Sequence, residues 1–188
     1  MLIRIVPMAL VAILATVSVC NGQIAPAPIT IDIRTSGESI EITVPVSSLI
    51  LAIPKGSFEV EKSSGNGARA SPRYFYLRDR PAGQVVSGWF ESSDHAVDLK
   101  RTWATEMVGL QKSGYGQPLK VEEAQIGEWR TITYDVPIPS GSSTHIRASM
   151  IRSGTWIDLH LSVSSEAPPD DTRRAVKELL GSMQVRTK

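Results

Sequence analysis

Tyr74-Phe75-Tyr76-Leu77-Arg78-Asp79-Arg80-Pro81-Ala82-Gly83-Gln84-Val85-Val86-Ser87-Gly88-Trp89-Phe90 is the stretch on which the fold turns. It holds five of the chain's eleven Phe, Trp and Tyr residues. Its ends, residues 74–77 and 85–90, are built from aromatic and β-branched side chains, which suit a pleated surface. Between them Pro81 presets φ for a turn, and Gly83 supplies positive φ without a Cβ clash. The pattern predicts a hairpin with a loop of about five residues. Because residues 74–77 are apolar at every position, that strand is expected to be central and covered at least partly on both faces. Such a strand calls for a sheet with helices packed on it.

Downstream, Ser92-Ser93-Asp94 offers N-cap chemistry, and Ala96, Leu99, Trp103, Met107 and Leu110 recur three or four apart as one helical stripe. Gly114 is a fitting stop. A β region starts at Leu119, breaks at Gly127 and resumes over residues 129–136, with Arg130, Ile132, Tyr134 and Val136 on one face. Around Ser153-Gly154, read as a two-residue turn, Met150 falls opposite Ile157, Ala148 opposite Leu159 and Ile146 opposite Leu161, an all-apolar face. The other face then carries Ser149 opposite Asp158, Arg147 opposite His160 and His145 opposite Ser162. Pro168-Pro169-Asp170-Asp171 opens a last helix whose stripe is Val176, Leu179, Leu180 and Met183, its acidic first turn suiting the helix dipole.

Upstream, residues 49–53 form an apolar run ended by Pro54. Ile40, Ile42, Val44 and Val46 alternate in a strand that Pro45 confines to an edge or ends. Residues 29–33 read as a short edge strand, and residues 63–68 as a loop by composition.

The chain has 188 residues, 41% hydrophobic and 21% charged, enough for one core. The expected layout is a secretory signal peptide over residues 1–22, an extended segment over 23–38 and one domain over 39–188. Arg4 followed by an apolar run to Val19 and small residues before Gln23 carries the leader reading. Cys20 raises lipidation, but Val19 is bulky for the position before a lipoprotein cysteine. Cleavage after Gly22 leaves no cysteine, hence no disulfide and no thiolate metal site. It also removes only Arg4, so 20 basic against 19 acidic residues become 19 against 19. A neutral domain has no general attraction to nucleic acid or anionic lipid. No membrane span is expected after leader removal.

The order of elements, with Leu51-Ala52-Ile53-Pro54-Lys55-Gly56-Ser57-Phe58 before the hairpin and Ala-Val-Lys-Glu-Leu-Leu-Gly-Ser-Met-Gln-Val at residues 175–185, resembles the Mog1/PsbP-like fold group. The resemblance spans about residues 39–188. It implies an α+β domain, an antiparallel β-sheet flanked by two principal helices in an α/β/α arrangement. It also implies a binding or accessory role, by analogy alone.

Arg69, Arg73, Arg78 and Arg80 flank the aromatic hairpin, and with Tyr74 and Tyr76 they could meet an acidic partner, a sugar or a phosphate. Arginine with aromatic residues is the usual make-up of an interface hot spot; the plainer reading is that the arginines solvate strand ends and protect an edge. His145, Asp158 and His160, with Arg147 beside them, could hold Zn²⁺ or an anion. The plainer reading makes them solvent-facing residues of a one-sided sheet. His95 beside Ser92, Ser93 and Asp94 reads as capping rather than a triad, since neighbours in one helical turn do not converge as nucleophile, base and orienter. No Walker, dinucleotide-binding, His-Glu-x-x-His or EF-hand motif is present. The chain therefore reads as a secreted, bacterial periplasmic, non-catalytic protein with no cofactor. It would bind an envelope protein or an anionic ligand through the Arg and Tyr-rich hairpin. The alternatives are a small metal-dependent or hydrolytic enzyme using the last hairpin's outer face, and a structural envelope component.

Overall fold

A computed structural model describes residues 31–44, 47–61, 71–139 and 141–188. Residues 1–22, on which the leader reading falls, Arg69, the loop at 63–68, Pro45 and Val46 lie outside the described residues. In chain order the strands are β1 Asp32–Ser36, β2 Ser39–Val44, β3 Leu49–Pro54, β4 Glu59–Val60, β5 Tyr74–Asp79 and β6 Gln84–Ser92. After a 3-10 turn at Ser93–His95 come α1 Leu99–Lys112, β7 Leu119–Ile126, β8 Trp129–Ile138, β9 Gly141–Arg152, β10 Thr155–Ser165, α2 Pro169–Ser182 and β11 Gln184–Thr187. The class is α+β, and every strand pair is antiparallel.

The strands form two sheets, not the single sheet expected. The small one has the order β1-β2-β3-β11 and the large one β4-β5-β6-β10-β9-β8-β7. Alternation alone could not separate them. β2 and β3 each present one apolar face, and nothing local says whether that face continues another sheet edge to edge or packs upon it. Here it packs: Ile40, Ile42, Leu51 and Ile53 join Phe75, Leu77, Ile146, Ile157 and Leu159 of the large sheet in one core, with Val176 and Leu180 of α2 and Met183 just past its end. β1 pairs with β2 along its length, so the small sheet begins ahead of Ser39.

The opposite face of the large sheet carries a smaller cluster in which Leu99, Leu110 and Trp103 of α1 meet Ile132, Tyr134 and Val136 of β8. α1 starts at Leu99, later than the Ser92-Ser93-Asp94 cap would have it. Ser93 and Asp94 belong to the 3-10 turn instead, Ser92 ending β6, and Asp98 occupies the N-cap position without a side-chain capping bond. The C-terminal stop matches, with Gly114 at φ +75°.

The quoted hairpin forms β5 and β6, closed by residues 80–83. Asp79 accepts from the amides of Ala82 at 3.0 Å and Ser57 at 3.2 Å. Gly83 is required twice over: its φ is +64°, and a Cβ there would lie 2.2 Å from the Ser164 carbonyl oxygen. β5 alternates, with Phe75 and Leu77 buried and Tyr74 and Tyr76 half-buried. It lies second from the edge beside the two-residue β4. Its continuous apolar run reflects an aromatic outer face, not a fully covered strand. The β9–β10 register is as the Ser153-Gly154 turn dictates, residue for residue, with positive φ at both turn residues. Among the described residues no helix is long and apolar enough to cross a membrane.

Candidate functional site

Registers across β5, β6, β10, β9 and β8 place the outer-face residues of the large sheet in rows. One row runs Tyr76, Ser87, His160, Arg147, Ile132; its neighbours run Tyr74, Trp89, Asp158, Ser149, Arg130 and Arg78, Val85, Ser162, His145, Tyr134. Hence the aromatic hairpin and the polar face of the last hairpin, separate in the sequence reading, are two halves of one surface. α1 covers the β8–β9 half.

Under α1 the polar residues expected to face solvent are instead half-buried and linked. Trp103, Tyr134, His145 and His160 form a column of rings with successive centroids 4.9, 5.0 and 5.3 Å apart. Tyr134 donates to Glu106 Oε1 at 2.8 Å. Burial and the Glu106 carboxylate push the Tyr134 phenol well above its ordinary value. His145 Nδ1 lies 3.0 Å from His160 Nε2, and His145 Nε2 lies 2.9 Å from Ser143 Oγ, itself 2.8 Å from Ser164 Oγ. Burial, then the neighbouring His160, holds His145 down to about 3, so the ring is neutral. Arg147 donates to Asp158 Oδ2 at 2.6 Å, and its Nε stands 4.0 Å from Glu106 Oε2. Burial raises the Asp158 carboxyl to about 6 against the pull of Arg147. Among the described residues Arg147 Nε and Asp158 Oδ1 are buried without a hydrogen-bond partner.

This arrangement limits the chemistry. His145, Asp158 and His160 are not gathered as a ligand set. The two imidazoles turn ring nitrogens toward each other, and Asp158 is engaged by Arg147; among the described residues no three His, Cys, Asp or Glu side chains converge for a metal ion. Ser143, His145 and His160 do form a nucleophile, base and orienter by distance. Yet Ser143 is buried and lies in β9, which is paired on both sides. The strand amides are spent in the ladder, leaving no aimed donors for an oxyanion. A ring held at about 3 is also a weak base at neutral pH.

On the open half, Tyr74, Tyr76 and Trp89 are half-buried and Arg78 is exposed. Arg73 pairs with Glu91, and Arg80 with Glu61 at 2.7 Å. Those two arginines are thus tied into hairpin ion pairs, and Arg78 stands on the aromatic face. His95 is exposed and 3.5 Å from Glu91, away from any nucleophile geometry. Sequence reasoning missed Tyr134 and Glu106. Tyr134 was within reach, because pairing the face of Ile132 and Val136 with β9 sets it beside His145. Glu106 had no signal, lying off the apolar stripe of a helix whose docking only tertiary structure decides.

No family model matches the chain, and no curated protein does. Among solved structures, a Bacteroides thetaiotaomicron protein aligns over 74% of this chain and 46% of its own length at 9% identity and a TM-score of 0.42. The matched region is thus under half of that protein. PA94 of Pseudomonas aeruginosa, described as a protein of unknown function, aligns over 85% of this chain and 99% of its own at 13% identity and a TM-score of 0.37.

Proposed function

We propose that the chain is a non-catalytic binding protein of a bacterial envelope, and that Tyr74, Tyr76, Arg78 and Trp89 form its contact surface for a protein partner. The observation that carries this is the row geometry. Three aromatic side chains and an arginine stand side by side on the half of the outer face that α1 leaves uncovered. Large rings give apolar contact at low entropic cost, and a guanidinium adds directional pairing, the combination that dominates interface energetics. Arg78 favours an acidic patch on the partner. The leader reading of residues 1–22 makes the periplasm the compartment in this proposal. The Mog1/PsbP-like grouping belongs to it too, supported by α1 and α2 packing on different apolar clusters of one antiparallel sheet.

The test is site-specific photocrosslinking in cells, with a benzophenone amino acid at Tyr76 or Trp89 and, for comparison, at Arg34 on β1. Discrete adducts from the first two positions that Arg78→Glu abolishes are expected. Equal labelling from all three positions, or none from Tyr76 and Trp89, would refute the surface.

A further inference from the structure

Where α1 meets the sheet, a cleft of about 300 Å³ is lined by Thr102, Thr105, Glu106, Gly109, Arg147 and Trp156. Its volume lies at the lower end of the range of about 300–1,000 Å³ usual for small-ligand sites. Glu106 has one oxygen bound by Tyr134 and turns the other toward Arg147 at 4.0 Å, beyond hydrogen-bond reach. A carboxylate oxygen and a guanidinium thus stand side by side on the wall as an ion pair with no hydrogen bond between them, the Nε itself being buried. Thr102 and Thr105 donate to the helix carbonyls of Asp98 and Arg101 at 3.4 and 3.1 Å, which leaves their hydroxyl oxygens to act as acceptors. Gly109 keeps the helix wall bare, since a Cβ there would meet nothing within 4 Å. A second depression of about 430 Å³ adjoins the first through Val97 and Trp156, which line both, and adds Ser149 and Arg130.

We infer that this cleft binds a neutral polyhydroxylated ligand, a sugar unit, with room beyond Trp156 for a second ring. The groups on its wall ask for a partner that donates and accepts at neighbouring positions, as vicinal hydroxyls do. Charge argues against ions. An anion would face Glu106 as well as Arg147, while a cation would face the guanidinium at short range. A hydroxyl incurs neither repulsion, and the C–H face of a sugar ring suits the strip of Trp156 in the wall. The site lies beside the aromatic contact surface and does not depend on what that surface binds.

The test is a titration of the isotope-labelled protein, followed in ¹H–¹⁵N spectra, with glucose, mannose, galactose and N-acetylglucosamine, and with lysine and citrate as charged probes. At least one sugar is expected to shift the Thr102, Thr105 and Gly109 amides and the Trp156 indole saturably. Glu106→Gln, which keeps an acceptor for Tyr134, is expected to weaken that binding about tenfold. Gly109→Phe is expected to abolish it, and because its Cβ has open space and glycine is a poor helix former, the variant should fold. Arg34→Ala, on the small sheet, should bind as the parent does. The inference is overturned if no sugar shifts these signals, if Gly109→Phe leaves binding intact, or if lysine or citrate occupies the same amides in place of every sugar.

Discussion

Replacing Asp158 by Asn gives the sharpest test of how the face under α1 is held. Burial raises its carboxyl from 3.8 to about 6, so between those values the folded protein keeps a proton that the unfolded chain has released. A carboxyl raised in this way contributes stability that is fully present below the unfolded value and is lost as pH rises through the folded one. The gap is roughly 2 pH units, and at about 1.36 kcal/mol each it comes to about 3 kcal/mol. His145 acts in the other sense. Lowered from 6.5 to about 3, it costs stability as pH falls below 6.5, but it does so in the parent and the variant alike and cancels in their difference. The destabilisation caused by Asp158→Asn should therefore grow by about 2 kcal/mol as pH is lowered from about 7 to about 4, the remainder appearing below the unfolded value. Urea denaturation of both proteins across that range, followed by tryptophan fluorescence, measures it. A penalty that is flat with pH would refute the reasoning. One that shrinks on acidification would show that Arg147 holds the carboxyl ionised in the fold.

Further outcomes follow from the same packing. Tyr134→Phe removes the hydroxyl that donates to Glu106 and should cost about 2 kcal/mol by denaturant melt, as expected for a bond to a charged acceptor. Gly88→Ala would put a Cβ 2.3 Å from Phe75 Cε1 and 2.7 Å from Leu159 Cδ2, and should lower stability by about 2 kcal/mol or prevent folding. The His145 ring should remain neutral at pH 5, read from its imidazole carbon shifts. Zinc titration with elemental analysis should find no stoichiometric site that is lost in both His145→Ala and His160→Ala.

The β9–β10 register was legible because a two-residue turn that demands positive φ pins the count, and a slip by one would put Arg147 and His160 into the core among Ile146 and Leu159. The helices were legible by period, though the start of α1 was not. Ser92-Ser93-Asp94 has capping side chains, but its backbone is used to turn the chain out of β6, and the apolar stripe cannot tell a helical residue from one a few positions upstream. What the sequence withheld was layering. Nothing in Ile40, Ile42 and Leu51 says that their sheet packs against β5, β6 and β10 instead of extending them. Nor does anything in Glu106 say that it reaches across to Tyr134. Polar residues read as solvent-facing came to lie beneath a helix because docking is decided by distant apolar side chains, Leu99 and Leu110 against Ile132 and Val136.

β11 pairs Gln184 with Ala52 and Val185 with Leu51, partners more than 130 positions apart. Until that far segment arrives, β3 offers Leu49-Ile50-Leu51-Ala52-Ile53 with one edge unpaired, a run suited to pairing with another copy. Closing so long a loop is slow. The folding of this chain should thus be limited by the return of its far segment, and a chain emerging from a ribosome would spend that interval exposed to self-association. A chaperone that shields residues 49–53, or simple dilution during refolding, should raise the yield of native protein more than any change at the surface helix.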